Sequence, residues 1–407
     1  MDCLDHIQGA GMIARKEILQ RQTRFADAIG AASLPGAVVF SRGGATLDRY
    51  GDIYYLTRHY QVYGYLPETP NLFSGRAHSA LVINSQGDSI LCPAVEEYDQ
   101  ETVVAGSIRC EGDFAATVAG AMQDLGLGGG PVGLVGADVL PVLQDRRIRD
   151  RLPGLDWRDC DELLHAQRRI KSPSEQAIIR RAVATHAKAL HKINKTIQPG
   201  LTEADLIANF ADEIIRVGGG LYFAAISSGP RIADWCTQGL PGYSRRELQS
   251  GDMVRFDTGI ILDGYLSDFG HTLVAGPSNE DQRRLIDTVQ TAVDRMIEAI
   301  RPGRRVAEAV ADGEKALIGL GVQNEPGRAG TIHSSFPAHW GHGLGMGWER
   351  PMLTADDQTL IEPGMYLAVE RTLTMEGVGT AAAEQTLLVT ENGTEVLSEG
   401  PAGRWKT

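Results

Sequence analysis

Two Pro-Gly breaks, Pro199-Gly200 and Pro302-Gly303, lie about 100 residues apart, and each joins a pair of helical stretches ahead of β-rich sequence. No other feature constrains the fold as tightly, because such a recurrence marks a duplicated half-domain. The first helix opens in RRIKSPSEQAIIRRAV, where Ser172 reads as the N-cap, Pro173 as the first helical residue and Glu175 as the third position of a capping box. It is expected to run to about Ile197, after which Thr202 caps EADLIANFADEIIRV. The same grammar recurs where Ser278 with Asp281 opens DQRRLIDTVQTAVDRMIEAI, which stops at Pro302-Gly303 before VAEAVADGEKALIGLG.

Ahead of the duplicated part, from about Ala37 to Cys160, β-rich segments (GAVVF, DIYYLT, SALVIN, SILCP, PVGLVG) alternate with helical ones such as AATVAGAMQDLGL, the pattern of an α/β domain. The glycines Gly126, Gly128, Gly129 and Gly130 follow a helix and precede a strand. That is the reverse of the strand-loop-helix order of a phosphate loop, so the cluster reads as a helix-ending loop. A length of 407 residues exceeds what one hydrophobic core usually supports, and the boundary near Arg168 gives domains over 1–166 and 167–407.

The chain carries 39 basic and 52 acidic residues, a net charge of −13, which disfavours nucleic acid or an anionic membrane as partner because either would repel such a surface. At 43% hydrophobic and 22% charged it has the composition of a folded globular protein, with no apolar run long enough to span a bilayer. Cys3, Cys92, Cys110, Cys160 and Cys236 form neither a disulfide framework nor a C-x-x-C pair, which fits a reducing compartment. The opening MDCLDHIQGAGMIARKE lacks the apolar run of a secretory signal, so the cytoplasm is the expected location.

The strands that follow the helix pairs are MVRFDTGI, YLSDFGHTL across an Asp263-Gly264 hairpin turn, GMYLAVERTL and TAAAEQTLLVT. Alternate residues share a face, so Arg255, Asp257 and Gly259 point one way and Val254 and Phe256 the other. Likewise Tyr366, Ala368 and Glu370 share a face opposite Leu367 and Val369. A duplicated half would fold these strands around a shared groove where the acids converge. Taken singly, an aspartate at a strand end usually faces solvent and a lone histidine is usually structural. Together, D-T-G, S-D-F, G-H-G-L-G, V-E-R and A-E-Q form an ordered series, each beside small residues that let a backbone or an ion approach closely.

This series resembles the creatinase, aminopeptidase P and prolidase family, the pita-bread metallohydrolases, over essentially the whole chain. RRIKSPSEQAIIRRA looks like the family's opening helix, GDMVRFDTGIILDGYLSDFGHTLVAGPS its first ligand hairpin, GHGLGMGWERP its histidine loop, and IEPGMYLAVE with AAAEQTLLVTENG its last two ligand strands. The resemblance implies an α/β (α+β) protein: a pita-bread catalytic domain with duplicated αβ halves, preceded by a smaller creatinase-like α/β N-terminal domain, assembled as a homodimer. It also implies two divalent metal ions, with Asp257 holding one, His342 and Glu370 the other, and Asp268 and Glu384 bridging them. Four carboxylates and one imidazole are a hard, oxygen-rich set suited to manganese first, then cobalt, iron or zinc, and the four charges would repel unless divalent cations neutralised them. Two metals sharing a water can lower its pKa towards about 7 while one polarises a carbonyl, with Glu370 as the candidate to carry the proton to the leaving group.

Four helper positions depart from the peptidase pattern. After the S-G-P-type turn, in SSGPRIADWCTQG, Cys236 stands where the family has histidine. Positions four before and seven after the ligand histidine read Ala338 and Glu349, the latter followed by Arg350, and the arginine two residues before the last glutamate is Ala382. An intact ligand set with altered helpers implies a different substrate, because a polar site rejects a molecule that leaves its groups unpaired. His339, beside Trp340, is the candidate replacement imidazole, a packing histidine being the equal alternative. Glu349 and Arg350 are expected to face the pocket, since the loop that orients His342 must run close to the metals.

Trp235 is a candidate aromatic wall of the pocket, whereas Tyr54, Tyr55 and Tyr60 in DIYYLTRHYQVYGY read as core packing. Arg58 and His59 of that segment are candidate substrate contacts, because in relatives the N-terminal domain reaches over the active site of a neighbouring subunit. Cys236 is either a reactive thiol near the metals or, more commonly, a buried inert one. Four functions follow: a hydrolase of a small amide or related C–N bond, an Xaa-Pro peptidase in which His339 replaces a lost histidine, a metal-assisted lyase, and a metal-free binding module. The last needs lost ligands, and none is lost. The partner expected is a small-molecule or short-peptide substrate.

Overall fold

In a computed structural model of the chain, residues 12–44, 49–69, 72–335 and 339–398 are described. Cys3 and Ala338, both singled out above, lie outside them. Contacts between Cα atoms divide the chain into Met1–Arg168 and Arg169–Thr407.

The first unit is a six-stranded mixed sheet whose spatial order is Ser107–Ile108, Ser89–Pro93, His78–Asn84, Gly36–Arg42, Gly130–Val135, Leu155–Asp159. Gly36–Arg42 runs antiparallel to His78–Asn84 and parallel to Gly130–Val135, so a crossover with the helix Phe114–Asp124 separates the parallel pair. Val38, Phe40, Val82, Phe114, Val118 and Ile148 fill the core on that helix's side, each fully buried side chain contributing roughly 1.5–3 kcal/mol of transfer free energy. The glycine cluster follows the end of this helix and leads into Gly130–Val135, the helix-ending role expected of it.

The second unit repeats one plan twice. Helix Pro173–Thr196 is followed by Glu203–Ile215, and helix Glu280–Ala299 by Val306–Gly319. A capping box of Ser172 with Glu175 starts the first helix and Thr202 caps the second, as the sequence predicts, Thr202 forming a box of its own with Asp205. The third begins one residue later than predicted. Asn279, not Ser278, is the cap, because its side-chain oxygen accepts from Gln282 N while the Gln282 amide oxygen accepts from Asn279 N.

Each helix pair precedes a long hairpin. Asp252–Leu262 and Tyr265–Ala275 are joined by Asp263 and Gly264, both at positive φ (50° and 84°), the backbone that a tight two-residue turn between twisted strands demands. Tyr366–Met375 and Gly379–Thr390 form the second hairpin. The two hairpins meet at Ala383 and His271, inside a nine-stranded sheet. One face of the second hairpin packs Leu367, Val369 and Leu387 against Leu285, Val289, Val293 and Met296 of the third helix. The opposite face is left for the groove.

Candidate metal centre

Pairing register decides which side chains meet on that face, since residues directly opposite on neighbouring strands point the same way. Across the first hairpin Asp257 pairs with Gly270 and Gly259 with Asp268. Across the second, Glu370 pairs with Glu384 and Ala368 with Thr386, while His342 of the strand Gly341–Leu344 pairs with Ala368. With Ala383 opposite His271 at the junction, one row across the sheet reads Asp257, Gly270, Glu384, Glu370, and the next reads Gly259, Asp268, Thr386, Ala368, His342. Gly270 sits between two acids where a Cβ would strike the carbonyl of Phe256. All five sequence-predicted ligands line one cavity of about 260 Å³.

The residues fit divalent cations. Ligand atoms of Asp268, His342 and Glu384 all lie within 4.8 Å of one another, and each of the three residues is buried. His342 Nδ1 sits 3.1 Å from the Gly343 carbonyl, so that nitrogen carries the hydrogen and Nε2 offers a lone pair 3.9 Å from Asp268 Oδ2. Two acceptors facing each other need a cation between them. Asp268 Oδ1 is likewise buried with no hydrogen-bond partner, an arrangement that costs about 1–3 kcal/mol or more unless something satisfies it.

The electrostatics say the same. Burial, then the charges of Asp268, Glu370 and Asp257, push Glu384 well above the usual carboxylate range. Burial and Asp257 do the same to Asp268. Glu370 is pushed up to about 8 by burial and Asp257, against the opposing pull of Arg255 and Arg371. Burial holds the His342 imidazole down at about 4, neutral and able to ligate. Carboxylates so placed keep protons unless cations displace them.

Around this floor stand groups that the ligand pattern does not name. Trp235 Nε1 donates to Asp257 Oδ2 at 2.9 Å, and Trp348 Nε1 donates to Asp268 Oδ2 at 2.6 Å. His339 lines the cavity with Nδ1 3.6 Å from Glu370 Oε1, but that nitrogen accepts from Gly341 N at 3.2 Å, so the two groups touch without a hydrogen bond. Arg255 and Arg371 also face the cavity. The strand alternation that places Asp257 already places Arg255 beside it. Trp348 was hidden by the irregular pairing between His342 and Gly343, which shifts the register of the strand Trp348–Met352.

Other expected contacts lie elsewhere. Glu349 does not line the cavity: one residue on from Trp348 it takes the other face, where its carboxylate accepts from Lys171 Nζ at 3.0 Å and from Met346 N at 3.1 Å. Lys171 is buried, and Glu349 is its counter-charge. Arg350 is exposed and is not among the cavity residues. His59 is buried within the first unit, its Nε2 3.0 Å from Ser79 Oγ and its pKa pulled to about 4 by burial, so it offers no surface to a substrate. Arg58 caps a helix at positive φ and donates to the Ile13 carbonyl at 3.3 Å. Arg21 stacks on buried Tyr55, the core packing expected of it, whereas Tyr54 and Tyr60, which pack edge-on against Tyr50, are half-buried and exposed. Cys236 lies off the cavity wall with its thiol raised by burial, the state of an inert cysteine.

A two-unit chain whose second unit gathers four carboxylates and a neutral imidazole on a duplicated sheet is built for divalent metals. Residues 21–170 match the model of the Creatinase/Prolidase N-terminal domain, and residues 177–391 that of Metallopeptidase family M24. The chain belongs to metallopeptidase family M24. It is 30% identical over 280 residues to the probable dipeptidase PepE of Mycobacterium tuberculosis, covering 68% of this chain and 70% of that one. It is 28% identical over 248 residues to the Xaa-Pro dipeptidase of Pyrococcus furiosus, covering 60% and 67%. Among solved structures, dipeptidase PepE from Mycobacterium ulcerans superposes with a TM-score of 0.75 at 25% identity over 96% of this chain and 98% of that one. The Xaa-Pro dipeptidase from Bacillus anthracis does so with a TM-score of 0.75 at 22% identity, over 94% and 98%. The fold is thus a creatinase-type N-terminal domain followed by a pita-bread domain, and the protein is a metallohydrolase. No helix among the described residues is long and apolar enough to cross a membrane.

Proposed function

We propose that this protein is a dinuclear-metal hydrolase of a short peptide or small peptide-like amide, with Asp257, Asp268, His342, Glu370 and Glu384 as the ligands and manganese as the resident metal. One observation carries the reading: strand register brings these five side chains onto a single cavity. The dipeptidase names of relatives support a peptide-like substrate. Cys236, Glu349 and Ala382, at positions where the family pattern has basic side chains, support an altered way of holding it.

Bound divalent ions would supply Lewis acidity towards a carbonyl and a lowered pKa of water. The chain's own groups supply the rest. Glu370, which lines the cavity, is placed to take up the proton released by the attacking water and pass it to the leaving nitrogen. The two indole N–H groups orient Asp257 and Asp268 without adding a titratable proton. His339 borders the cavity beside Glu370, at 3.6 Å from its carboxylate. Homodimeric assembly, implied by the resemblance, and a cytoplasmic location complete the proposal.

The test is turnover of a panel of Xaa-Pro dipeptides and small amides by the manganese-loaded enzyme, with Glu384→Gln as the control. Cleavage lost in the variant, with solvent ¹⁸O in the carboxyl product, supports it. An alkene product without ¹⁸O would replace hydrolysis by elimination.

A further inference from the structure

Arg255 stands two residues before Asp257 on the same strand, so its side chain shares the face of the carboxylates about 7 Å further along. Its cross-strand neighbour is Thr272, whose hydroxyl is tied to the Ala382 backbone, and Ala382 in turn pairs with Thr372. Arg255, Thr372 and Ala382 of this row line the same cavity as the carboxylates.

That guanidinium is under-used. Arg255 is 3% exposed, yet among the described residues its only hydrogen bond goes to the carbonyl of Asp234. A guanidinium carries several more N–H donors than one bond uses. Arg371, by contrast, has most of its guanidinium engaged: it lies over the Trp340 ring, donates to Ser334 Oγ at 2.7 Å and to the His339 carbonyl, and pairs with Glu314 at 3.4 Å, leaving Nε alone without a partner among the described residues. Arg255 shares the cavity with Asp257 and Glu370. Once divalent cations neutralise the acids of the floor, the attraction of Asp257 and Glu370 is largely cancelled. A buried cation without an anion is costly, so the loaded cavity favours a ligand that brings one.

We infer that Arg255 is the receptor for a carboxylate of the substrate, placed within about one residue of the scissile bond. The wall beside it is aromatic. Trp235 and Trp348, each about half exposed, flank Phe223 at ring distances of 6.0 and 5.5 Å. The site thereby selects a dipeptide or N-acyl amino acid with a free carboxylate and an apolar side group, and discriminates against the same molecule capped as an amide. The position of the scissile bond rests on the hydrolase reading; the anion subsite does not.

The experiment uses Phe-Pro and its C-terminal carboxamide as probes, with binding to the metal-loaded full chain followed by tryptophan fluorescence and turnover measured alongside. Wild type is expected to prefer the acid by about ten-fold or more, because a charge-assisted pair is lost in the amide. Arg255→Gln should bring that ratio to about one while leaving amide affinity and metal content unchanged, and Arg255→Lys should restore part of the preference. No preference for the acid in wild type, whether both probes bind or neither does, overturns the inference. So does an Arg255→Gln variant that weakens acid and amide equally, the result of a purely structural role. Arg255-dependent binding of an acid that is never cleaved leaves the subsite standing and removes the hydrolase reading instead.

Discussion

Glu370 and Glu384 face each other directly across paired strands, with Asp257 and Asp268 completing a group of four acids, of which Asp268 and Glu384 are buried and the other two half-buried. Such a group is a liability without cations and an asset with them. Chelation should therefore lower the thermal midpoint and manganese should restore it, a ligand at about 100 times its Kd adding roughly 2.7 kcal/mol. Glu384→Gln removes one charge and should abolish turnover. The chelated variant should be at least as stable as chelated wild type, and its gain on adding manganese smaller. Differential scanning fluorimetry reads all four states. An equal gain in both proteins would mean that Glu384 holds no metal.

The indole N–H of Trp235 fixes an oxygen of Asp257 at 2.9 Å. Partners that orient a ligand typically matter by about 10–100-fold in metal affinity, and this indole is half exposed, which argues for the low end. Trp235→Phe keeps the ring against Phe223 and loses only the donor. Its manganese Kd, measured by competition with a chelator, should rise about ten-fold. An unchanged Kd would make Trp235 a wall of the cavity and nothing more.

Much of this could be read from the chain alone, for physical reasons that differ between residues. The helix pairs were legible because Ser172, Thr202 and the Pro-Gly breaks are local signals, and the ligand strands because alternation is local too. The third helix start shifted by one residue because Ser278 and Asn279 are equally good caps, and only the reciprocal bond with Gln282 decides between them. Glu349 was expected in the groove and Trp348 stands there instead, because a register shift in the pairing of this strand with its neighbour fixes which of the two faces it. His59 could not be placed at all from sequence, since its burial depends on Ser79 on a distant strand.

Glu349, off the cavity, is held by Lys171. Glu349 and Lys171 form a buried pair at 3.0 Å, and removing one partner of such a pair typically costs about 3–5 kcal/mol. Both side chains keep some solvent contact, so Glu349→Gln should destabilise by the lower figure or less, with KM for a cleaved substrate within about two-fold of wild type. Urea unfolding and steady-state kinetics on the one variant separate the two effects. A large rise in KM with unchanged stability would return Glu349 to the substrate.

His186 joins the first helix to both ligand strands of the first hairpin: its Nε2 lies 2.8 Å from Thr258 Oγ1 and its Nδ1 3.0 Å from Ser267 Oγ. Burial, aided by His271, holds its pKa at about 3 in the folded chain, against about 6.5 for a free imidazole. Between those values the unfolded chain binds a proton that the folded chain refuses, so stability rises with pH across the interval. The contribution is complete above about pH 6.5 and is lost as pH falls towards about 3, at up to roughly 1.4 kcal/mol per pH unit. His186→Gln retains groups able to bond both hydroxyls but cannot titrate. It should lower stability by about 1–2 kcal/mol at pH 8 and show a shallower decline between pH 6 and pH 4 than wild type, read from urea midpoints. Parallel profiles for the two proteins would mean that His186 does not carry the acid sensitivity of this domain.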